Sequence, residues 1–115
     1  MSFLNKLFGG GSGAKSLSAK EFVAKYGEQK GIILDVRTDN EYRSGHLKGA
    51  VRADFLGGEF QQKIASLDPS KTYYLYCASG GRSGRASQML VEKGFENVYN
   101  VGGFSELAMS GFPLA

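Results

Sequence analysis

Two residue types that commonly build stable sites are scarce in this sequence of 115 residues. It contains one cysteine, Cys77, and one histidine, His46. A single cysteine excludes a disulfide within the chain and any metal site built from several cysteines. Having only one histidine as well argues against a structural zinc site, which needs four such ligands. We therefore expect no metal, and Cys77 becomes the residue whose role has to be explained.

Long apolar runs and clustered charge are also missing. No run approaches the roughly 20 apolar residues that cross a bilayer, and the N-terminus lacks the apolar centre and cleavage site of a signal peptide. The net charge of +3 is small and the basic residues form no run, so we expect no nucleic-acid partner. We predict a monomer located in the cytoplasm, where a lone reactive thiol stays reduced.

The first 15 residues differ in composition from the rest of the chain. Met1–Phe8 carries apolar residues at helical spacing, and Gly9–Gly13 is a glycine- and serine-rich linker. A segment this short does not hold a helix alone. We therefore predict a flexible tail and linker over residues 1–15, without membrane contact, and one folded domain over residues 16–115.

Strand-like and helix-like segments alternate along that domain. Ser18 and Glu21 form a capping-box pattern that predicts the start of the first helix. Apolar runs predict strands, and apolar residues three or four apart predict helices. The predicted strands are 32–36, 50–53, 72–76 and 97–101, and the later predicted helices are 39–44, 59–67, 82–93 and 104–109. This alternation predicts an α/β domain with a mostly parallel sheet of four to five strands and helices on both faces.

Cys77 lies where the sequence favours a thiolate. It follows the strand 72–76 and precedes the small turn 78–81, after which a helix is predicted to begin at Arg82. A helix N-terminus stabilises anions through its unpaired N–H groups and its dipole, and the two glycines of the turn allow N–H groups to point inward as an anion-binding nest. Because the thiolate is the reactive form of cysteine, we predict that Cys77 is a catalytic nucleophile.

Three segments of the sequence resemble the rhodanese-like domain family. They are Leu34-Asp35-Val36-Arg37 with Glu41-Tyr42, Gly45-His46-Leu47 and Gly49-Ala50; then Tyr76-Cys77-Ala78-Ser79-Gly80-Gly81-Arg82-Ser83; and Val101-Gly102-Gly103-Phe104 with Gly111-Phe112-Pro113. They occur in the family's order and at fitting distances. Two features depart from the family pattern: Arg52-Ala53-Asp54 follows Val51 where Asn-Ile-[Pro/Asp] is common, and Leu107 replaces the common tryptophan of the last helix.

The resemblance implies a single-domain sulfurtransferase. In this interpretation Cys77 takes the outer sulfur of thiosulfate or a persulfide, becomes a persulfide, and passes that sulfur to cyanide or a thiol. The implied substrate-binding loop consists of Ala78, Ser79, Gly80, Gly81, Arg82 and Ser83. Six N–H groups, from positions 77 to 82, are expected to stabilise the anionic sulfur, and the small side chains predict an open mouth. No cofactor is implied, and the acceptor, which can be a protein, must come from outside because the chain has no second cysteine.

Five charged residues outside the loop also have predicted roles. We expect Asp35 and Arg37 to be a paired acid and base that support the fold. Glu41 is expected to join them, and its spacing of four from Arg37 is compatible with a direct pair. Arg52 is a positive charge predicted near the entrance, where it affects substrate preference. Arg85, one turn after Arg82, is a second predicted entrance charge.

Three alternatives remain open from the sequence. Cysteine-dependent phosphatases and arsenate reductases also hold an oxyanion between a cysteine and an arginine, but with five intervening residues rather than the four found at 78–81; Asp54 is then a potential general acid. A carrier module that hands a persulfide to one partner is the second alternative. A Cys–His dyad with His46 is the third, although the flanking glycines favour a structural turn at this histidine.

Overall fold

The computed structural model describes residues 13–115, so the prediction of a flexible tail over residues 1–12 lies outside the described residues. Five strands and five helices alternate along these described residues. The strands are β1 (Lys15–Ser16), β2 (Ile32–Asp35), β3 (Val51–Arg52), β4 (Thr72–Cys77) and β5 (Asn97–Gly103). The helices are α1 (Ala19–Glu28), α2 (Asp39–Arg43), α3 (Glu59–Lys63, continued by a 3-10 turn over Ile64–Ser66), α4 (Gly81–Glu92) and α5 (Phe104–Met109).

The strands form one sheet in the order β1-β5-β4-β2-β3, and all neighbouring pairs are parallel. The predicted α/β class is therefore confirmed. The sheet begins at Lys15, which pairs with Tyr99, one residue inside the segment predicted to be tail. A strand of two residues is too short to show a periodic pattern in the sequence. It is recognised only by its pairing with β5.

Strand β4 lies at the centre of the sheet and all six of its residues are buried. Its side chains alternate between two core clusters, because successive residues of a strand point to opposite faces. Tyr73, Leu75 and Cys77 belong to the cluster that also contains residues of α3 and α4. Tyr74 and Tyr76 belong to the cluster that contains residues of α1 and α5. This alternation confirms that helices cover both faces.

The helices α1 and α2 begin with complete capping boxes. The Ser18 hydroxyl accepts a hydrogen bond from the Glu21 N–H, and the Glu21 carboxylate accepts one from the Ser18 N–H. At α2 the same exchange joins Thr38 and Glu41. In the described part of the chain, no helix is long and apolar enough to cross a membrane.

Gly103, at the end of β5, allows the backbone of the loop that follows Cys77 to approach the sheet. A Cβ atom at this position would lie 2.6 Å from the Ala78 carbonyl oxygen. We expect Gly103→Ala to lower the free energy of unfolding by about 1–3 kcal/mol, because the contact is with backbone that cannot move aside cheaply. Urea unfolding followed by circular dichroism measures the change.

Gly27→Ala is the matched control. Gly27 lies in α1, and a Cβ atom there would meet nothing within 4 Å. Alanine is the better helix former, so we expect this variant to be more stable by about 0.5–1 kcal/mol. Equal stability of Gly103→Ala and the wild-type protein would contradict the close approach of the loop.

Candidate active site

Cys77 is the last residue of β4, and its sulfur lies beneath the loop that leads into α4. The Gly80 N–H donates to Sγ at 3.0 Å, and the Ser83 N–H donates at 3.4 Å. The Ser83 hydroxyl oxygen is also 3.4 Å from Sγ. The sulfur therefore faces main-chain donors, as an anion-binding site requires.

The first turn of α4 explains why these donors are available. Gly80 occupies the N-cap position with φ +100°, a left-handed conformation that glycine adopts without a steric penalty. Gly80 has no side chain to cap the helix, so the N–H groups of the first turn need another acceptor. The Ser83 N–H, at the third helical position, finds the sulfur of Cys77.

The surroundings lower the pKa of the Cys77 thiol. Burial raises this pKa, but hydrogen bonds from the Ser83 hydroxyl and from main-chain N–H groups of the loop outweigh that effect. Hydrogen bonds to the charged form stabilise the thiolate. The site therefore holds Cys77 in a more nucleophilic state than an ordinary cysteine.

The loop above the sulfur is exposed, whereas the sulfur itself is covered. Ala78, Ser79 and Gly81 are exposed to solvent, but Cys77 is only 1% exposed. The predicted open mouth thus applies to the loop and does not extend to the thiol. Cys77 is covered because it packs into the apolar cluster on its own face of the sheet.

The ring of donors differs from the predicted run of positions 77 to 82. Two main-chain N–H groups hydrogen-bond Sγ directly, those of Gly80 and Ser83, and Ser83 lies outside that run. The reason is geometric: the N–H at the third helical position is the one that an N-capping group normally reaches. Ser83 is therefore a direct partner of the sulfur and not only an anchor of the loop.

Arg82 connects the active loop to α2. Its guanidinium forms two hydrogen bonds with the Glu41 carboxylate, at 2.8 and 3.1 Å. The expected direct pair of Glu41 with Arg37 does not form. Arg37 precedes the N-cap Thr38, so the two residues do not share a helix, and the four-residue spacing rule does not apply to them.

Asp35 and Arg37 form the predicted acid–base pair, and it is buried. The side chains of Asp35 and Arg37 are 0% and 5% exposed, and Nη2 of Arg37 lies 2.7 Å from Oδ2 of Asp35. Arg37 also donates to the Gly45 carbonyl, and the Tyr76 hydroxyl donates to Asp35 at 2.7 Å. Burial raises the pKa of Tyr76, so its hydroxyl remains a donor. The pair supports β4 from the face opposite Cys77.

The two predicted entrance arginines have different surroundings. The Arg52 guanidinium is hydrogen-bonded to Asp39 and to both carboxylate oxygens of Glu59, so its charge is offset. The cavity of about 370 Å³ that Arg52 lines includes no residue of the loop 77–83 in its walls. Arg85 is exposed, with its guanidinium carbon 6.0 Å from the centre of the Phe55 ring.

His46 has a structural position. Its ring stacks on Tyr42 with 3.8 Å between centroids, and its Nδ1 lies 2.9 Å from the Tyr42 carbonyl oxygen. The backbone of His46 accepts a hydrogen bond from the Ala115 N–H. These contacts join the loop after α2 to the end of the chain, in agreement with a turn residue.

Two residues of the site were missed from the sequence. Tyr76 joins Asp35 through its hydroxyl, and Asn100 hydrogen-bonds the Ser83 hydroxyl at 2.7 Å. The sequence offers one signal for Asn100, because it is an amide between Tyr99 and Val101 in the middle of an apolar stretch. Tyr76 left none, since tyrosine is common in buried strands.

Comparison with known proteins agrees with this geometry. The family model of the rhodanese-like domain matches residues 18–110. A rhodanese-related protein of Thermoplasma volcanium, in a crystal structure, superposes with a TM-score of 0.75 at 26% identity, covering 88% of this chain and 97% of that one. The chain belongs to the rhodanese-like domain family.

The functional names among the relatives include two different activities. The chain is 36% identical over 78 residues to the thiosulfate sulfurtransferase PspE of Escherichia coli, covering 66% of this chain and 73% of that protein. It is 37% identical over 92 residues to the tRNA uridine(34) hydroxylase of Cytophaga hutchinsonii, covering 77% of this chain. The chain spans only 30% of that hydroxylase's length.

The Arg82–Glu41 pair predicts an acid-dependent loss of stability. The hydrogen bond from Arg82, with those from Thr38, lowers the pKa of Glu41 from 4.5 to about 2. A depressed folded-state pKa contributes stability that is complete above 4.5 and is lost as the pH falls towards 2. We expect the difference in unfolding free energy between the wild-type protein and Glu41→Gln to shrink across that range. Its size stays below about 1 kcal/mol, because the carboxylate is partly exposed.

Urea unfolding at a series of pH values measures this difference, and the Arg82→Gln background is its control. Without the guanidinium, most of the pH dependence of the Glu41→Gln effect should disappear, because Arg82 is the largest cause of the shift. A difference that stays constant down to the lowest pH would show that the pair does not set the Glu41 pKa.

Proposed function

We propose that this protein is a sulfurtransferase in which Cys77 carries the transferred sulfur as a persulfide. The observation that carries the proposal is the position of the Cys77 sulfur at the uncapped N-terminus of α4, where the N–H groups of Gly80 and Ser83 donate to it. Main-chain donors in this arrangement stabilise a sulfur anion, by the same logic as an oxyanion hole. The family membership and the likeness to PspE support the same reaction class.

The reaction has two displacement steps. In the first, the Cys77 thiolate attacks the outer sulfur of thiosulfate, a new S–S bond forms, and sulfite leaves with the electron pair of the donor's S–S bond. The enzyme is then a cysteine persulfide whose terminal sulfur carries the negative charge. In the second step cyanide attacks that sulfur, thiocyanate forms, and the Cys77 thiolate is regenerated. A thiolate acceptor reacts in the same way and leaves as a persulfide.

The acceptor in this proposal is a separate molecule. Cys77 is the only cysteine of the sequence, so the chain cannot resolve its own persulfide as a disulfide. A small thiol, cyanide or a cysteine of another protein completes the cycle. A reducing compartment such as the cytoplasm keeps Cys77 as a thiol between turnovers.

The shape of the loop favours sulfur over a phosphoryl group. Four residues, 78–81, separate Cys77 from Arg82, one fewer than in cysteine-dependent phosphatases. The Arg82 guanidinium is also engaged by both carboxylate oxygens of Glu41, whereas a phosphatase needs its arginine to hold the phosphoryl oxygens. The likeness to the hydroxylase covers only 30% of that protein's length.

Mass spectrometry of the intact protein tests the proposal. After incubation with thiosulfate, the wild-type protein should gain the mass of one sulfur atom and lose it on addition of cyanide. Cys77→Ser should gain nothing, because a hydroxyl does not form the persulfide. Glutathione persulfide and 3-mercaptopyruvate serve as alternative donors.

Three outcomes would count against the proposal. If no donor adds sulfur while iodoacetamide still alkylates Cys77, the protein is a binding module and not a transferase. Turnover of an aryl phosphate would support the phosphatase class instead. A persulfide that forms but is released to cyanide only once, without multiple turnover, would identify a carrier that needs a partner protein.

A further inference from the structure

The strand β5 carries an irregularity beside the active loop. Leu75 of β4 pairs with Asn100, but Cys77 pairs with Gly103, so β5 contains one extra residue between these pairs. Such bulges redirect the side chains next to them. Here the bulge lies directly after Asn100, whose side chain reaches the loop.

The side-chain amide of Asn100 makes three hydrogen bonds. Its Nδ2 donates to the Gly80 carbonyl at 3.2 Å, and its Oδ1 accepts from the Gly102 N–H at 3.1 Å and from the Ser83 hydroxyl at 2.7 Å. The two main-chain partners fix the orientation of the amide, because a carbonyl only accepts and an N–H only donates. Oδ1 therefore faces Ser83, and the single hydroxyl proton of Ser83 lies between the two oxygens.

Two of these partners, Gly80 and Ser83, are the residues whose N–H groups donate to the Cys77 sulfur. The Gly80 carbonyl also accepts from the Gly84 N–H at 3.0 Å, so Asn100 is its second hydrogen-bond donor. The Asn100 amide on β5 thus holds the loop whose N–H groups donate to the sulfur.

We propose that Asn100 is a positioning residue for the sulfur site: it keeps the Gly80 N–H directed at the sulfur and competes with the sulfur for the single hydroxyl proton of Ser83. This inference rests on the proposed sulfurtransferase function. In the thiol state the Ser83 oxygen then faces the sulfur as an acceptor. If the hydroxyl donates to a thiolate instead, its hydrogen bond to Asn100 breaks. The Ser83 hydroxyl oxygen and Oδ1 of Asn100 then lie 2.7 Å apart with no proton between them, which is unfavourable.

Both effects appear in the reactivity of the thiol, and a double-mutant cycle separates them. The rate of Cys77 alkylation by iodoacetamide is measured against pH for four proteins: the wild type, Asn100→Ala, Ser83→Ala and the double variant. In the Ser83→Ala background Asn100→Ala removes the bonds to Gly80 and Gly102, and of these two residues only Gly80 donates to the sulfur. There we expect Asn100→Ala to shift the profile to higher pH and to slow alkylation about two- to tenfold at neutral pH.

In the wild-type background the same substitution also frees the Ser83 hydroxyl to donate to the thiolate. We therefore expect a smaller shift there than in the Ser83→Ala background. If Asn100→Ala changes nothing in the Ser83→Ala background, Asn100 does not position Gly80. Equal shifts in both backgrounds would show that Asn100 does not withhold the Ser83 proton.

The charged groups around the sulfur stay the same in all four proteins. Arg82 of α4 interacts electrostatically with Cys77, and Glu41 of α2 and Asp54 act on Arg82. Asp35 and Arg37, at the end of β2, remain paired with each other. A shift in the profile therefore reports hydrogen bonding and not a change of charge.

Controls distinguish positioning from loss of structure. Asn97→Ala, at the other end of β5, should leave the alkylation profile unchanged. Urea unfolding identifies any variant that is not folded, and Asn100→Ser then replaces Asn100→Ala with the same expected shift, since its side chain is too short to reach Gly80. Alkylation needs no sulfur donor, so it also tests the proposed function separately. A wild-type Cys77 thiol with an ordinary pKa counts against the proposed function. A lowered wild-type pKa that is unchanged in the variants counts only against the role of Asn100.

Discussion

The site depends on a helix that begins without a capping side chain. Helices α1 and α2 satisfy their first N–H groups with the hydroxyls of Ser18 and Thr38. Helix α4 has a glycine at that position, and its third N–H donates to the sulfur of Cys77 instead. A thiolate is a better acceptor than a thiol. The N–H groups that no side chain caps at this helix terminus therefore stabilise the anion. The same donors are then in place for the negative charge of a persulfide.

Helices α2 and α4 are joined through one carboxylate, that of Glu41. Glu41 completes the capping box of α2 by accepting from the Thr38 N–H, and it also binds Arg82 in the first turn of α4. The negative charge of Glu41 stabilises the N-terminus of α2 and offsets the positive charge of the Arg82 guanidinium beside the loop. Arg82 is consequently fixed against the protein, so its role is to hold the loop in shape while the main chain meets the sulfur.

Local patterns in the sequence were sufficient for the fold and for the place of the loop. The apolar run at 72–76 and the capping box at Ser18 depend on neighbours in the chain, and both predictions were confirmed. The partner of Glu41 is 41 residues away at Arg82, and the spacing rule that suggested Arg37 describes only residues on one helix. The contacts of Asn100 depend on a bulge in β5, and no periodicity in the sequence encodes a register shift between strands.

The buried polar network on the other face of β4 explains why the sulfur position is so closely determined. Tyr76 and Cys77 are consecutive, so their side chains point to opposite faces of the sheet. The Tyr76 hydroxyl donates to Asp35 and accepts from the Leu47 N–H, and Asp35 is held by Arg37. Breaking any of these bonds leaves a buried polar group unpaired, which costs about 1–3 kcal/mol. This network therefore fixes the end of β4, and Asn100 of β5 holds the loop whose N–H groups donate to the sulfur. Separating the sulfur from the N–H groups of α4 requires breaking one of these two sets of bonds.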